Sequence, residues 1–171
     1  MLPRRIFSVF ILLPVGLLMC SCGTAPRVSE GYAAKPEKAD QAARIVLVSE
    51  AGRCLGLKFR ETFLDTLTGL TQGSGKKLSI MTDFEYYHSP YQQSKERGLF
   101  PDTLFIFLKI HSCEQNRYVS YHLEAGYFQE VPFMIKTITF DAGYSAVSMK
   151  YDRARELAHT VVEELKAQNI L

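Results

Sequence analysis

Two neighbouring runs constrain this chain more than anything else in it. Arg117–Phe128 alternates apolar and polar residues from Val119 to Ala125, and Thr103–Ser112 is apolar without a break from Leu104 to Leu108 before Lys109, Ile110 and His111 alternate. Setting Ile110 opposite Val119 places Leu108 opposite Tyr121, Ile106 opposite Leu123 and Leu104 opposite Ala125. All of these pairs then cover one face. A slip of one residue would mix them with Ser120, His122 and Glu124, so an antiparallel hairpin with a well-specified register is expected.

The rest of the chain supplies elements to pack on that hairpin. Arg44–Ser49 (RIVLVS) is a short β-branched run, a buried strand. After Gly52, Leu55, Phe59, Phe63, Leu67 and Leu70 recur at spacings of four and three, the stripe of an amphipathic helix that Gly69 and Gly73 to Gly75 end. Leu78–Tyr87 alternates and reads as a half-buried strand, with a long polar loop over 88–102. Phe133–Phe140 reads as a strand, Asp141-Ala142-Gly143 as a turn, and Ser145–Tyr151 as a last strand. A closing helix from about Asp152 to Gln168 buries Ala154, Leu157, Ala158, Val161, Val162 and Leu165, with Asp152 as N-cap. The expected fold is α+β: a two-layer sandwich with both helices on one face of a mostly antiparallel sheet of four or five strands.

The other sheet face would carry Phe105, Phe107, Lys109, His111, Tyr118, Ser120, His122 and Glu124. An aromatic face without an evident cover is a candidate partner surface. The competing arrangement puts Phe105 and Phe107 beneath the 88–102 loop, and the pattern does not choose between the two. Lys109, His122 and Glu124 share this face and form the nearest thing to an acid–base group. In the register above, His111 and His122 lie about 13 Å apart along the strands. One metal ion binds its ligands at ~2 Å, so they are read as surface histidines and no metal site is expected. Thr71–Lys77 (TQGSGKK) lacks P-loop spacing and follows a helix instead of preceding one. No catalytic signature is present and no cofactor is expected.

Residues 1–21 read as an address. Arg4 and Arg5 precede the apolar run Ile6–Met19. That run, as a helix, reaches about 21 Å, short of the ~30 Å hydrocarbon core. Pro14 and Gly16 weaken it further. The alternative is an uncleaved single-span anchor. The formal charge of +2 resides in Arg4 and Arg5, so the remainder is balanced, which argues against a nucleic-acid partner.

Met19-Cys20-Ser21-Cys22-Gly23 resembles the bacterial lipobox, with Met19 at −3, Cys20 and Ser21 at −2 and −1, and Cys22 as the modified cysteine. The resemblance implies diacylglycerol on the Cys22 thiol, cleavage before it, and membrane anchoring by the acyl chains, each buried methylene contributing ~0.8 kcal/mol. Gly23 after the cysteine implies the outer membrane. Residues 22–43 then form a flexible tether, rich in Ala, Pro, Lys and Glu, spanning roughly 25 Å as coil. The alternative for Ala39–Ala43 within it is a helical turn. The domain proper is Arg44–Leu171. Cys54 and Cys113 are left over; in an oxidising compartment we expect them to pair, the alternative being two separate thiols.

Lipobox, leash and then strand, helix, strands and helix together resemble the small envelope lipoproteins of the LptE, LpoB and CsgG types. The resemblance rests on RIVLVS, FRETFLDTLTGL, PDTLFIFLKI and YDRARELAHTVVEEL. It implies a non-enzymatic accessory subunit that binds an envelope protein or glycolipid at the outer membrane, on the periplasmic side. The alternatives are a periplasmic enzyme using Lys109, His122 and Glu124, or a surface-exposed or immunity-type lipoprotein.

Overall fold

Strand β1 (Arg44–Ser49) is buried at every position after Arg44, as its unbroken apolar run requires of a central strand. The computed structural model that shows this describes residues 32–93, 102–114, 118–127, 130–141 and 147–171. The chain leaves β1 through α1 (Gly52–Leu55) and α2 (Leu57–Thr71). Gly56, at φ 91°, separates the two helices in a conformation costly for any side chain with a Cβ. Strand β2 (Lys77–Thr82) follows, then two short helices, α3 (Asp83–Tyr87) and α4 (Pro90–Gln93). The hairpin comprises β3 (Thr103–Glu114) and β4 (Tyr118–Gly126); β5 (Phe133–Asp141) and α5 (Val147–Ala167) complete the chain.

The fold is α+β, with five strands in the order β2-β1-β3-β4-β5. The sheet is mixed, which corrects the mostly antiparallel expectation. β1 runs parallel to both β2 and β3, while β3–β4 and β4–β5 are antiparallel. The reason lies in the connections. Strands joined by a short turn return antiparallel, whereas a helical crossover brings the chain back in its original direction. Helices follow each of the first two strands here.

Helices α2 and α5 pack together over one face. Leu55, Phe59, Phe63 and Leu67 meet Ala154, Leu157, Ala158, Val161, Val162 and Leu165 in one core with Ile45, Leu47, Leu104, Ile106, Leu108, Tyr121 and Leu123. Both helical stripes are thus the ones the spacing of apolar residues indicates. Gly69 lies within α2 and does not end it. Residues 147–151 belong to α5 and not to a last strand. At the other end of α5, Asn169 takes φ 55°, the Ile170 amide bonds back to the Leu165 carbonyl, and Ile170 is fully buried.

Three further expectations are revised. The strand expected over Leu78–Tyr87 ends at Thr82, whose hydroxyl accepts from the Glu85 amide while the Glu85 carboxylate accepts from the Thr82 amide. This reciprocal cap starts a helix and overrides the alternation that continues through Tyr86. The hairpin register is displaced by two residues, with Ile110 opposite Tyr121, Leu108 opposite Leu123 and Ile106 opposite Ala125. A displacement of two keeps every side chain on its expected face. The leash also packs on the domain from Tyr32 onward. A 3-10 helix spans Glu37–Gln41, Ala39 and Ala42 are buried, and Lys35 contacts Asp40 and the Gln168 carbonyl. The Ala33 amide bonds to the Pro132 carbonyl, and the Tyr127 hydroxyl to the Lys38 carbonyl. The turn expected at 141–143 lies mostly outside the described residues.

Candidate functional site

The face opposite α2 and α5 is covered on one side by α3 and α4. Tyr86 meets the edges of Phe105 and Phe107 at ring-centroid distances of 6.1 and 5.5 Å, and Tyr91 meets Phe105 at 6.0 Å. Val46, Val48 and Phe105 form a small second core beneath them. Phe105, 5% exposed, is therefore core and not partner surface. Its cover comes from the 83–93 segment.

Farther along the same face, the register sets Lys109 opposite His122 and Phe107 opposite Glu124. Lys109 Nζ donates to Glu124 Oε2 at 2.7 Å, and the Tyr32 hydroxyl donates to Glu124 Oε1 at 3.0 Å. His122 Nδ1 lies 3.8 Å from Glu124 Oε1 and 3.4 Å from the Tyr32 hydroxyl. The three residues singled out as a possible acid–base group do come together. Glu124 is buried with both oxygens engaged, so it too leaves the list of surface candidates. What the group visibly does is hold the segment before the domain onto the sheet. Lys109 and Tyr118 remain exposed.

His111 and His122 are not 13 Å apart. Their rings stack at 4.1 Å between centroids, 13° from parallel. The two-residue displacement brings them close, together with a bulge between Ile110 and Ser112. Among the described residues, no group of three or more His, Cys, Asp or Glu is placed to hold a metal ion. The bulge also reverses the facing of the residues after it, so Cys113 joins the α2 side. Cys54 and Cys113 lie there at disulfide distance, Cα to Cα 6.4 Å.

A different site went unnoticed in the sequence. A cleft of about 410 Å³ opens at the carboxyl end of β1, lined by Ser49, Glu50, Gly52, Arg53, Arg60, Asp83 and Tyr87. Crevices in parallel sheets form at this end, where successive connections leave toward opposite faces. Here α1 and α2 leave on one side and α3 on the other. The Ala51 amide donates to Ser49 Oγ at 3.0 Å, fixing the bend that follows β1. Glu50 Oε2 accepts from the Ile110 amide at 2.9 Å, and Glu50 Oε1 meets Arg53 Nη1 at 3.3 Å. Helix α3 presents Asp83 at its capped start and Tyr87 at its end. Glu85, on the same helix, has its carboxyl held below the ordinary range, first by the Thr82 amide, then by the Thr82 hydroxyl, with a weaker pull from Arg60. The signal that could have found this site is Thr82-x-x-Glu85, a capping-box pattern inside what reads as a strand.

No family model matches the chain, and no curated protein does. Among solved structures it is similar to the PelC dodecamer of Paraburkholderia phytofirmans, at 14% identity over 80% of this chain and 93% of that one, with a TM-score of 0.34. A likeness this loose carries no argument about function.

Proposed function

We propose that the chain is a lipid-anchored envelope lipoprotein, held at the outer membrane by diacylglycerol on Cys22 and acting on the periplasmic side. It serves as a non-catalytic accessory subunit that binds an envelope protein or glycolipid. The observation that carries this reading is the meeting of Cys54 and Cys113. Paired cysteines belong to oxidising compartments, the destination that the run Ile6–Met19 and the lipobox also indicate. Among the described residues no helix is long and apolar enough to cross a membrane.

The partner surface on this reading is what stays exposed around Lys109 and Tyr118 on the hairpin. Photo-crosslinking from those two positions in living cells tests it. A single envelope protein or glycolipid captured in stoichiometric yield supports the reading, and diffuse capture with no dominant product contradicts it.

The alternative of a periplasmic enzyme draws on the meeting of Lys109, His122 and Glu124. It is the weaker reading, because Tyr32 and Lys109 already occupy both oxygens of the carboxylate that would act as base.

A further inference from the structure

We propose that the cleft at the carboxyl end of β1 is a binding site for a free α-amino acid. The ligand's carboxylate would meet Arg60, its ammonium Asp83, and its side chain the ring of Tyr87. The proposal goes beyond the accessory role above and does not depend on lipidation.

The charges in the cleft divide into two kinds. Arg53 and Glu50 face each other, and Glu50 is further tied to the Ile110 amide, so that pair is already satisfied. Arg60 and Asp83 are only partly exposed and line the same cleft without a salt bridge between them, Arg60 also acting on the Glu85 carboxylate nearby. Opposite charges held apart across a concave space are each relieved by a ligand that brings the complementary pair.

The balance of charge selects among ligands. Two arginines face two carboxylates around the cleft. An anion such as phosphate gains from Arg60 but is opposed by Asp83 and Glu50. A cation is opposed by the arginines. A molecule with both charges on one carbon gains from both sides. Tyr87, 62% exposed, supplies an aromatic wall of the kind that apolar side chains cover. The volume of about 410 Å³ is ample for one amino acid.

Gly52 ties the site to the backbone. A Cβ at position 52 would come within 2.5 Å of the Arg60 Cβ. The close approach sets the stem of Arg60 against the start of α1, beside the cleft that Arg60 lines.

The test uses the full mature protein in detergent. A thermal-shift screen covers the twenty amino acids, acetate, inorganic phosphate and N-acetylglucosamine, and titration calorimetry follows each positive. At least one amino acid should bind with one-to-one stoichiometry, and its N-acetyl and methyl-ester derivatives should bind about tenfold more weakly or worse, each having lost one charge. Arg60→Gln and Asp83→Asn should each weaken it to a similar extent, with circular dichroism unchanged. Because Arg60 is packed against Gly52, Tyr87→Ala provides a variant away from that contact, and it should lower affinity for apolar amino acids. The proposal is overturned if no amino acid binds, if acetate, phosphate or the sugar binds as well, or if Asp83→Asn and well-folded Arg60→Gln leave affinity unchanged.

Discussion

Cys113 faces Cys54 because the strand that carries it contains a bulge. Up to Ile110, the even-numbered residues of β3 point toward α2; after the register shifts between Ile110 and Ser112, Cys113 does so, opposite Val119. Without the bulge Cys113 would share the face of Lys109 and His111, on the wrong side of the sheet for Cys54.

Replacing both cysteines by serine should destabilise the protein by about 2–4 kcal/mol, the usual effect of a bridge closing a long loop. Urea denaturation measures this. A non-reducing digest should yield one peptide joining the segments around Cys54 and Cys113; two free thiols in the native protein would contradict the pairing.

Tyr121 is fully buried and donates its hydroxyl to the Ala51 carbonyl at 2.9 Å. Tyr121→Phe should cost about 1 kcal/mol, since the carbonyl is left without that donor. Burial, and secondly the neighbouring Glu50 carboxylate, raises the phenol pKa well above its ordinary 10.0. A raised folded pKa gives stability that is complete below the unfolded value and lost as pH rises through the folded one. Stability of the native protein should therefore fall above pH 10 more steeply than that of Tyr121→Phe, compared by denaturation at each pH.

Glu85 has the opposite sign. Its folded pKa lies below the ordinary 4.5, chiefly through the Thr82 amide. The stability it contributes is present above the unfolded value and lost as pH falls through the folded one. Solvent screens this exposed carboxylate, so the effect should be local, with α3 fraying before the domain unfolds. The protection factors of the Thr82 and Glu85 amides, exchange rates corrected for their intrinsic pH dependence, should fall on acidification, and Glu85→Gln should make those factors nearly independent of pH.

Lys109→Ala leaves the buried Glu124 carboxylate with fewer partners. The expected cost is about 1–2 kcal/mol, less than for a fully buried pair because the lysine is half exposed. Adding Glu124→Gln should recover part of it, and a double-mutant cycle by denaturation gives the coupling. Tyr32→Phe, which removes the donor to Glu124 Oε1, should speed proteolysis of the segment before Arg44.

The core was legible wherever one periodicity held along a whole element. The stripes of α2 and α5 and the inward faces of β3 and β4 follow from the spacing of Phe59, Phe63, Leu157, Val161, Leu108 and Leu123. The register was not, because a displacement of two residues preserves every facing and so leaves the pattern unchanged. That hid the meeting of His111 and His122. The direction of β1 was not legible either, since parallel pairing depends on which connections are helical, and the capping box at Thr82 reads as part of a strand. The cleft inherits this: Asp83 and Tyr87 reach it only once that segment is helix. Tyr32 and Ala39 read as leash because composition says nothing about a short segment that docks on a sheet built far along the chain.

The thiol at position 22 decides whether this protein is lipid-anchored. Intact-mass and peptide mass spectrometry of the protein purified from its native membrane should find a chain beginning at Cys22 and carrying diacylglycerol. A chain still beginning at Met1, or an unmodified Cys22, would contradict it.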